Sequence, residues 1–206
     1  ASWARVAGDS RIQGAVILNA ANHFAQTSAK WTLLPLLLVH QLHMSPAGLG
    51  TVYAAMSFFD MLTAQPVAAF ADTFGHKNIM APSALAMAAG VAVLAASATA
   101  AAAVPGLVLW SVGHSLIGSS PTAYTCSITS AKQRSAGVAV IRTTGDVGSM
   151  LGGLMAGMVA HRYSVSIGLG CTAAVILASV LWFAVVTFWG ARREHNTSLS
   201  SAAASL

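Results

Sequence analysis

Long apolar runs dominate the chain, and short polar breaks separate them. Six runs reach the roughly 20 residues a helix needs to cross a bilayer: 13–39, 47–71, 79–103, 106–128, 137–160 and 165–190. The breaks are His40 to Pro46, Asp72 to Asn78, Pro105, Ser130 to Ser135, and His161 to Ser164. The third run is almost all small residues, rich in Ala, which makes it the weakest of the six as a full crossing. The sixth is the most lipid-like and carries Trp182, Phe183, Phe188 and Trp189 towards its end, where aromatic belts sit. The pattern predicts an all-α membrane protein. A six-helix transmembrane domain spans 13–190, a cytoplasmic segment covers 1–12, and a polar cytoplasmic tail covers 191–206.

Composition supports lipid as the main solvent. Of 206 residues, 56% are hydrophobic and 7% charged, with a mean hydropathy of +0.70. A soluble domain carries about 25% charged residues, and 7% cannot cover a soluble surface of this size. The formal charge is +5, but the ten Lys and Arg are scattered and form no patch for nucleic acid. Cys126 and Cys171 fall near opposite faces of the bilayer, too far apart for a disulfide, and read as small buried apolar residues. The chain begins at Ala1 with no recognisable signal peptide, so the expectation is a fragment or a processed chain.

The basic residues also orient the helices. Arg5, Arg11, Lys77, Lys132, Arg134, Arg192 and Arg193 fall on one side of the predicted layer. Arg162 alone falls on the other, and Lys30 and Arg142 lie inside runs. The positive-inside rule then places both termini in the cytoplasm. The sequon at Asn196 would face the cytosol and stay unglycosylated.

Polar residues inside the runs are the candidate functional groups, because such groups in lipid face a cavity or one another. Asn19, His23, Gln26 and Lys30 recur at spacings of 4, 3 and 4, which puts them on one face of the first helix. That face either lines a water-filled path or joins a buried structural network. Tyr53, Ser57 and Asp60 share a face of the second helix. A carboxylate at that depth is protonated or paired, and Lys30, Arg142, His23 and His114 are the candidate partners. Asp60 reads as a proton-coupling acid or as half of a fixed ion pair. Arg142 and Asp146, four apart, can pair along the fifth helix. Arg142 is either a snorkelling anchor or a contact for an anionic solute, and His114 is a packing residue or a proton relay. Gly148, Gly152 and Ala156 form a small-residue stripe suited to close helix packing.

Three motifs in order carry a family resemblance. "PVAAFADTFGHK" resembles the signature loop of the major facilitator superfamily, G-x-L-A-D-R-x-G-R-K, in the turn between the second and third helices. Asp72, Gly75 and Lys77 match. Ala68, Phe70, Thr73 and His76 depart from it. "HSLIGSSPTAY" resembles that family's R-x-x-x-G segment, with His114 in place of Arg and Gly118 matching. "GSMLGGLMAG" resembles its glycine-rich fifth helix, with Gly148, Gly152 and Gly157 matching, Gly153 in place of Pro and Ala156 in place of Gly.

The resemblance covers about residues 12–192. It implies one six-helix half of a facilitator fold, a 3+3 inverted repeat, and the worn loop and missing Arg point to the C-terminal half. It implies secondary transport of a small-molecule substrate by alternating access, coupled to a proton or other ion or facilitative. The first helix would line the central cavity. The loop of Asp72, Gly75 and Lys77 would act as a gate, and the glycines of the fifth helix would let it flex. The partners are then the lipid bilayer, the solute, a coupling ion and the other six-helix half. By its own chemistry, Asp72 can cap the third helix or pair with Lys77. A non-transporting membrane scaffold or degenerate paralogue is the alternative. A serine–histidine intramembrane protease is disfavoured because the sixth run holds no His. No metal-ligand cluster, Walker loop or dinucleotide fingerprint occurs, so no cofactor and no enzyme activity are expected.

Overall fold

The computed structural model describes the backbone of residues 9–204 and the side chains of residue 9 and residues 11–187. Expectations for Arg5, Phe188, Trp189, Arg192, Arg193 and Asn196 fall outside the described side chains. The described residues are helical with no strand, and they run as long rods joined by tight turns.

The first rod begins as α1, Ser10–Ala25, and continues as two π-helical stretches, π1 at Gln26–Leu33 and π2 at Leu36–Gln41. Asp9 starts it by accepting a 2.9 Å hydrogen bond from the Arg11 backbone N–H. Helix α2, Pro46–Phe74, opens with Pro46 in its first turn and the Ser45 hydroxyl accepting from the Gly48 N–H. It ends at Gly75, whose φ of 83° lies where side chains are disfavoured. Helix α3 is His76–Ala96, α4 is Ala100–Ile117, α5 is Ser120–Ile128, α6 is Arg134–Arg162 and α7 is Val165–Ala204. Helices α4 and α5 form one rod broken at Gly118 and Ser119.

One boundary differs from the sequence expectation. The break after the third helix falls at Ser97–Thr99, and Pro105 lies inside α4. The Thr99 hydroxyl caps α4 by accepting from the Ala102 N–H, and the Ser97 hydroxyl donates back to the Val93 carbonyl. These side chains satisfy helix ends at 97–99, whereas Pro105 removes one helix hydrogen bond and is absorbed.

Among the described residues, three helical stretches are long and apolar enough to cross a membrane: His76–Ala96, Ala100–Ile128 and Val165–Thr187. The Ala-rich third run, weakest on sequence grounds, is among them. The rods beginning at Ser10, Pro46 and Arg134 are long too, but they carry more polar residues.

Packing runs through backbone contact at small residues. Helices α3 and α4 touch closely at Gly90, Gly106 and Gly113. A Cβ on Gly90 would lie 2.5 Å from the Trp110 nitrogen, and one on Gly113 would lie 2.5 Å from the Ser83 carbonyl oxygen. Helix α1 packs on α6 in the same way: a Cβ on Gly148 would lie 2.2 Å from the Ala20 oxygen, and one on Gly152 would lie 2.4 Å from the Phe24 oxygen. Gly157 has nothing within 4 Å of its Cβ position. In lipid, where apolar burial gives helices little reason to associate, this close approach is a main source of cohesion. The first rod also packs on α7, where Ser28 and Thr172 share a 3.0 Å hydroxyl hydrogen bond. Around these seams sit Leu33, Leu37, Met80, Met87, Trp110 and Ile176, all buried.

Helix α2 is the loosest. Met56 and Ala71 are its buried residues, while Phe58, Met61 and Leu62 stand exposed. It leans mainly on α4. Cys171 is exposed on α7 and Cys126 half-buried, which corrects the expectation that both are buried.

The packing gives a direct test. Gly148→Ala should destabilise the protein by about 1–3 kcal/mol through overpacking against backbone. Gly157→Ala, in open space, should be neutral or stabilising by up to about 1 kcal/mol. Thermal unfolding of both variants in detergent measures the difference.

Candidate functional site

Three elements bring a set of polar side chains together. The first rod supplies Gln26 and Lys30, α2 supplies Tyr53, Asp60 and Thr63, and α4 supplies His114 and Ser115. Lys30 Nζ lies 3.7 Å from Asp60 Oδ2, with the Lys30 side chain 9% exposed and that of Asp60 32% exposed. The Ser115 hydroxyl donates to Asp60 Oδ1 at 3.1 Å, and the Thr63 hydroxyl, which donates to the Phe59 carbonyl at 2.8 Å, lies 3.3 Å from Ser115 Oγ. Gln26 Nε2 reaches the His114 ring at 3.0 Å. Of the four partners considered for Asp60, Lys30 is the one at ion-pair distance.

The π-helical turn explains how Lys30 is held. In π1 each N–H reaches back five residues, as from Leu34 to the Ala29 carbonyl. The N–H that would serve the Lys30 carbonyl belongs to residue 35, which is Pro and has none. The Tyr53 hydroxyl donates to that carbonyl instead. Tyr53 also stacks on Trp31, with ring centroids 5.4 Å apart and planes 7° from parallel. Lys30 Nζ lies 5.5 Å from the Trp31 ring, within cation–π range. A missing backbone donor at Pro35 is thus answered by a side chain from α2, seven residues before Asp60.

The extra residue per π turn also rotates the face of the first rod. Asn19 and His23, on the α-helical part, meet α6: Asn19 Nδ2 donates to the Ile141 carbonyl at 2.9 Å, and His23 packs beside Gly145. Gln26 and Lys30 meet α4 and α2. The single polar face read from a uniform helical period is therefore split among three neighbours, α6, α4 and α2. Ser57 is exposed, outside the cluster.

Arg142 and Asp146 are both exposed on α6, and no ion pair joins them among the described residues. Their expected pairing along the helix is not formed. Long polar side chains on an open face gain little from locking together.

At the α2–α3 turn, Asp72 does not cap α3. Gly75 occupies the cap position without a side-chain hydrogen bond. Asp72 Oδ1 lies 3.4 Å from His76 Nε2, and Lys77 is exposed. His76 stands where the signature loop has Arg, and it keeps a partner for the Asp. His76 Nδ1 also approaches the Ser120 hydroxyl at 3.5 Å, which ties the turn to the start of α5.

A cleft of about 260 Å³ opens beside the cluster, lined by Asp60, His114, Ser115, Ser119 and Ala64. A larger groove of about 480 Å³ runs between α1, α6 and α7, but Ile17, Phe24, Leu151 and Trp182 line it and no charged group does. The charged cleft is the better candidate site, because chemistry needs the polar groups. Sequence reasoning missed Thr63 and Ser115. Thr63 lies three residues after Asp60 and Ser115 adjoins His114, so helical spacing could have flagged the first. Among the described residues no group of three or more His, Cys, Asp or Glu could hold a metal ion.

A family model described as Major Facilitator Superfamily matches residues 16–205. No curated protein gives a significant match to the chain.

Tyr53→Phe should destabilise the protein by about 1–3 kcal/mol, because it leaves the Lys30 carbonyl without a donor. Thermal unfolding in detergent checks this. Phe at 53 keeps the stacking on Trp31, so an unchanged midpoint would show that the hydroxyl is not needed.

Proposed function

The chain belongs to the Major Facilitator Superfamily, a family of membrane transporters, and from that membership and the pairing of buried Lys30 with half-buried Asp60 we propose that it is one six-helix half of a secondary transporter. It moves a small solute by alternating access, with the charge pair at the centre of its working site. The observation that carries the reading is the ion pair itself, which joins the first rod to α2 and is braced from α4 by Ser115. Charged groups inside membrane helices are costly, and they persist where they serve a pathway. A pair spanning helices that must move relative to one another can be made in one state and broken in the other.

In this proposal all six rods cross the bilayer. Helices α2 and α6 have 29 residues each, enough for a tilted crossing in spite of their polar faces. Both termini lie in the cytoplasm, following the basic residues. The chain is the C-terminal half, in keeping with its worn signature loop and the His114 that stands for Arg. The loosely held α2 and the exposed polar face of α6 then meet the other six-helix half. Asp72, Gly75 and Lys77 form a cytoplasmic gate, with the Asp72–His76 contact as its remaining polar tie. The backbone seam at Gly148 and Gly152 holds α6 on α1, and α2 is the element that moves against this frame. His114, linked to Gln26, and Asp60 are the groups through which a proton would couple to transport.

The full-length parent protein in proteoliposomes tests the reading. Lys30→Ala and Asp60→Asn should each lower solute uptake at least about tenfold, a loss of roughly 1.4 kcal/mol in the limiting step, with membrane insertion intact. Wild-type uptake by both variants would sink the proposal. The topology has its own test by cysteine labelling with an impermeant maleimide. Cysteine placed at Lys132 should react from the cytoplasmic side and cysteine at Arg162 from the opposite side. The reverse pattern would contradict the orientation.

A further inference from the structure

At the α2–α3 turn one histidine ring faces two hydrogen-bond acceptors. His76 Nε2 lies 3.4 Å from Asp72 Oδ1, and Nδ1 lies 3.5 Å from the Ser120 hydroxyl oxygen. That hydroxyl donates to the Leu116 carbonyl at 3.0 Å, across the break at Gly118 and Ser119. Ser120 is fully buried. With its one proton committed to Leu116, it presents a lone pair to the ring, and the Asp72 carboxylate offers lone pairs alone.

A neutral imidazole carries a single N–H. It can serve Asp72 or Ser120, and the other partner then meets a bare ring nitrogen, lone pair against lone pair. The imidazolium has an N–H on each nitrogen and satisfies both. Turning the Ser120 hydroxyl towards the ring would relieve the neutral form. It would also take the donor from the Leu116 carbonyl, where α4 ends and the chain restarts as α5. Asp72 is 76% exposed, so its contact with His76 is weak by itself. The buried end at Ser120 is what makes the charge of the ring matter, since a charged donor bonds about twice as strongly as a neutral one.

Resting on the reading of this turn as a gate, we infer that His76 is a proton-operated latch. Its imidazolium ties the end of α2 to the start of α5, and its neutral form releases that tie. Histidine is the side chain whose ordinary titration falls between pH 5 and 8. The tied arrangement holds one more proton than the released one, so acid favours it and the tie is lost as pH rises. Helix α2 has few buried residues to hold it, so a polar tie at its end bears on its position. The titratable groups on the elements packed around His76 are Asp72 of α2, Lys77 of α3 itself, His114 of α4, and Tyr124 and Cys126 of α5. The described side chains of α7 include Cys171 and no charged residue.

The experiment is hydrogen–deuterium exchange of the full-length parent protein in lipid nanodiscs, corrected for the intrinsic pH dependence of exchange. The buffers are mildly acidic and mildly alkaline, about pH 6 and about pH 8. The amides of Gly75 and Asn78, which donate to the Ala71 and Gly75 carbonyls, report the turn. Their protection in the wild type should fall about fivefold or more from the acidic to the alkaline buffer. His76→Gln, which never carries a charge, should show low protection in both buffers. Ser120→Ala leaves one acceptor, which a neutral ring can serve, and should shrink the pH response at least about twofold. Equal wild-type protection in the two buffers would overturn the latch. So would an unchanged pH response in His76→Gln, which would assign the titration to another group such as His114, or a full response in Ser120→Ala. Exchange is read without solute or gradient. A pH-sensitive turn in a protein that takes up no solute would therefore count against the transporter reading alone, and working uptake with a pH-insensitive turn against the latch alone.

Discussion

An ammonium and a carboxylate held among membrane helices constrain everything around them. Lys30 is too deeply covered to keep its hydration, so it needs a negative partner, and Asp60 lies across from it on another helix. Replacing such a pair by apolar residues is often neutral or stabilising, whereas removing one member is costly. A chain selected for stability alone would not need the pair. The neighbouring Ser115 hydroxyl orients the carboxylate and does not neutralise it. The pair is therefore retained at a standing cost, which the proposed transport cycle, breaking and remaking it, would account for.

The surrounding architecture fits an element that moves. Glycine seams fix α3 on α4 and α1 on α6, where backbones meet with no room for a side chain. Helix α2 has few buried residues, and its attachments near the site are polar: Tyr53 to the Lys30 carbonyl, Asp60 to Lys30 and Ser115. Polar links can exchange partners, and interlocked glycine seams cannot do so without unpacking. The π-helical stretch adds to this, since π turns are less stable than α turns and often occur at functional sites. In this account the rigid frame is α1, α3, α4 and α6, and α2 with the π segment is the part that responds.

Much of this was legible in the sequence because lipid imposes simple rules. Apolar length gave the helices, and the cost of charge in lipid singled out Lys30 and Asp60. Two features were hidden. The π segment leaves little side-chain signature, so a uniform period put Asn19 and Lys30 on one face when they meet different helices. Pro105 looked like a break because proline usually ends helices, but the Thr99 cap and the Ser97 back-bond decide that boundary. The Arg142–Asp146 spacing allowed a pair that the exposed face of α6 does not hold. The signature turn was read correctly as a turn, through Gly75 and its positive φ, while the partner of Asp72 depended on His76, a departure from the motif.

The most direct measurement compares stability with uptake in the neutral double variant, Lys30→Met with Asp60→Leu, of the full-length parent. If the pair exists for transport, this variant folds with a thermal midpoint at or above that of the wild type and shows no uptake in proteoliposomes. If it takes up solute at the wild-type rate, the pair is structural and the account of Lys30 and Asp60 as the working charges is wrong.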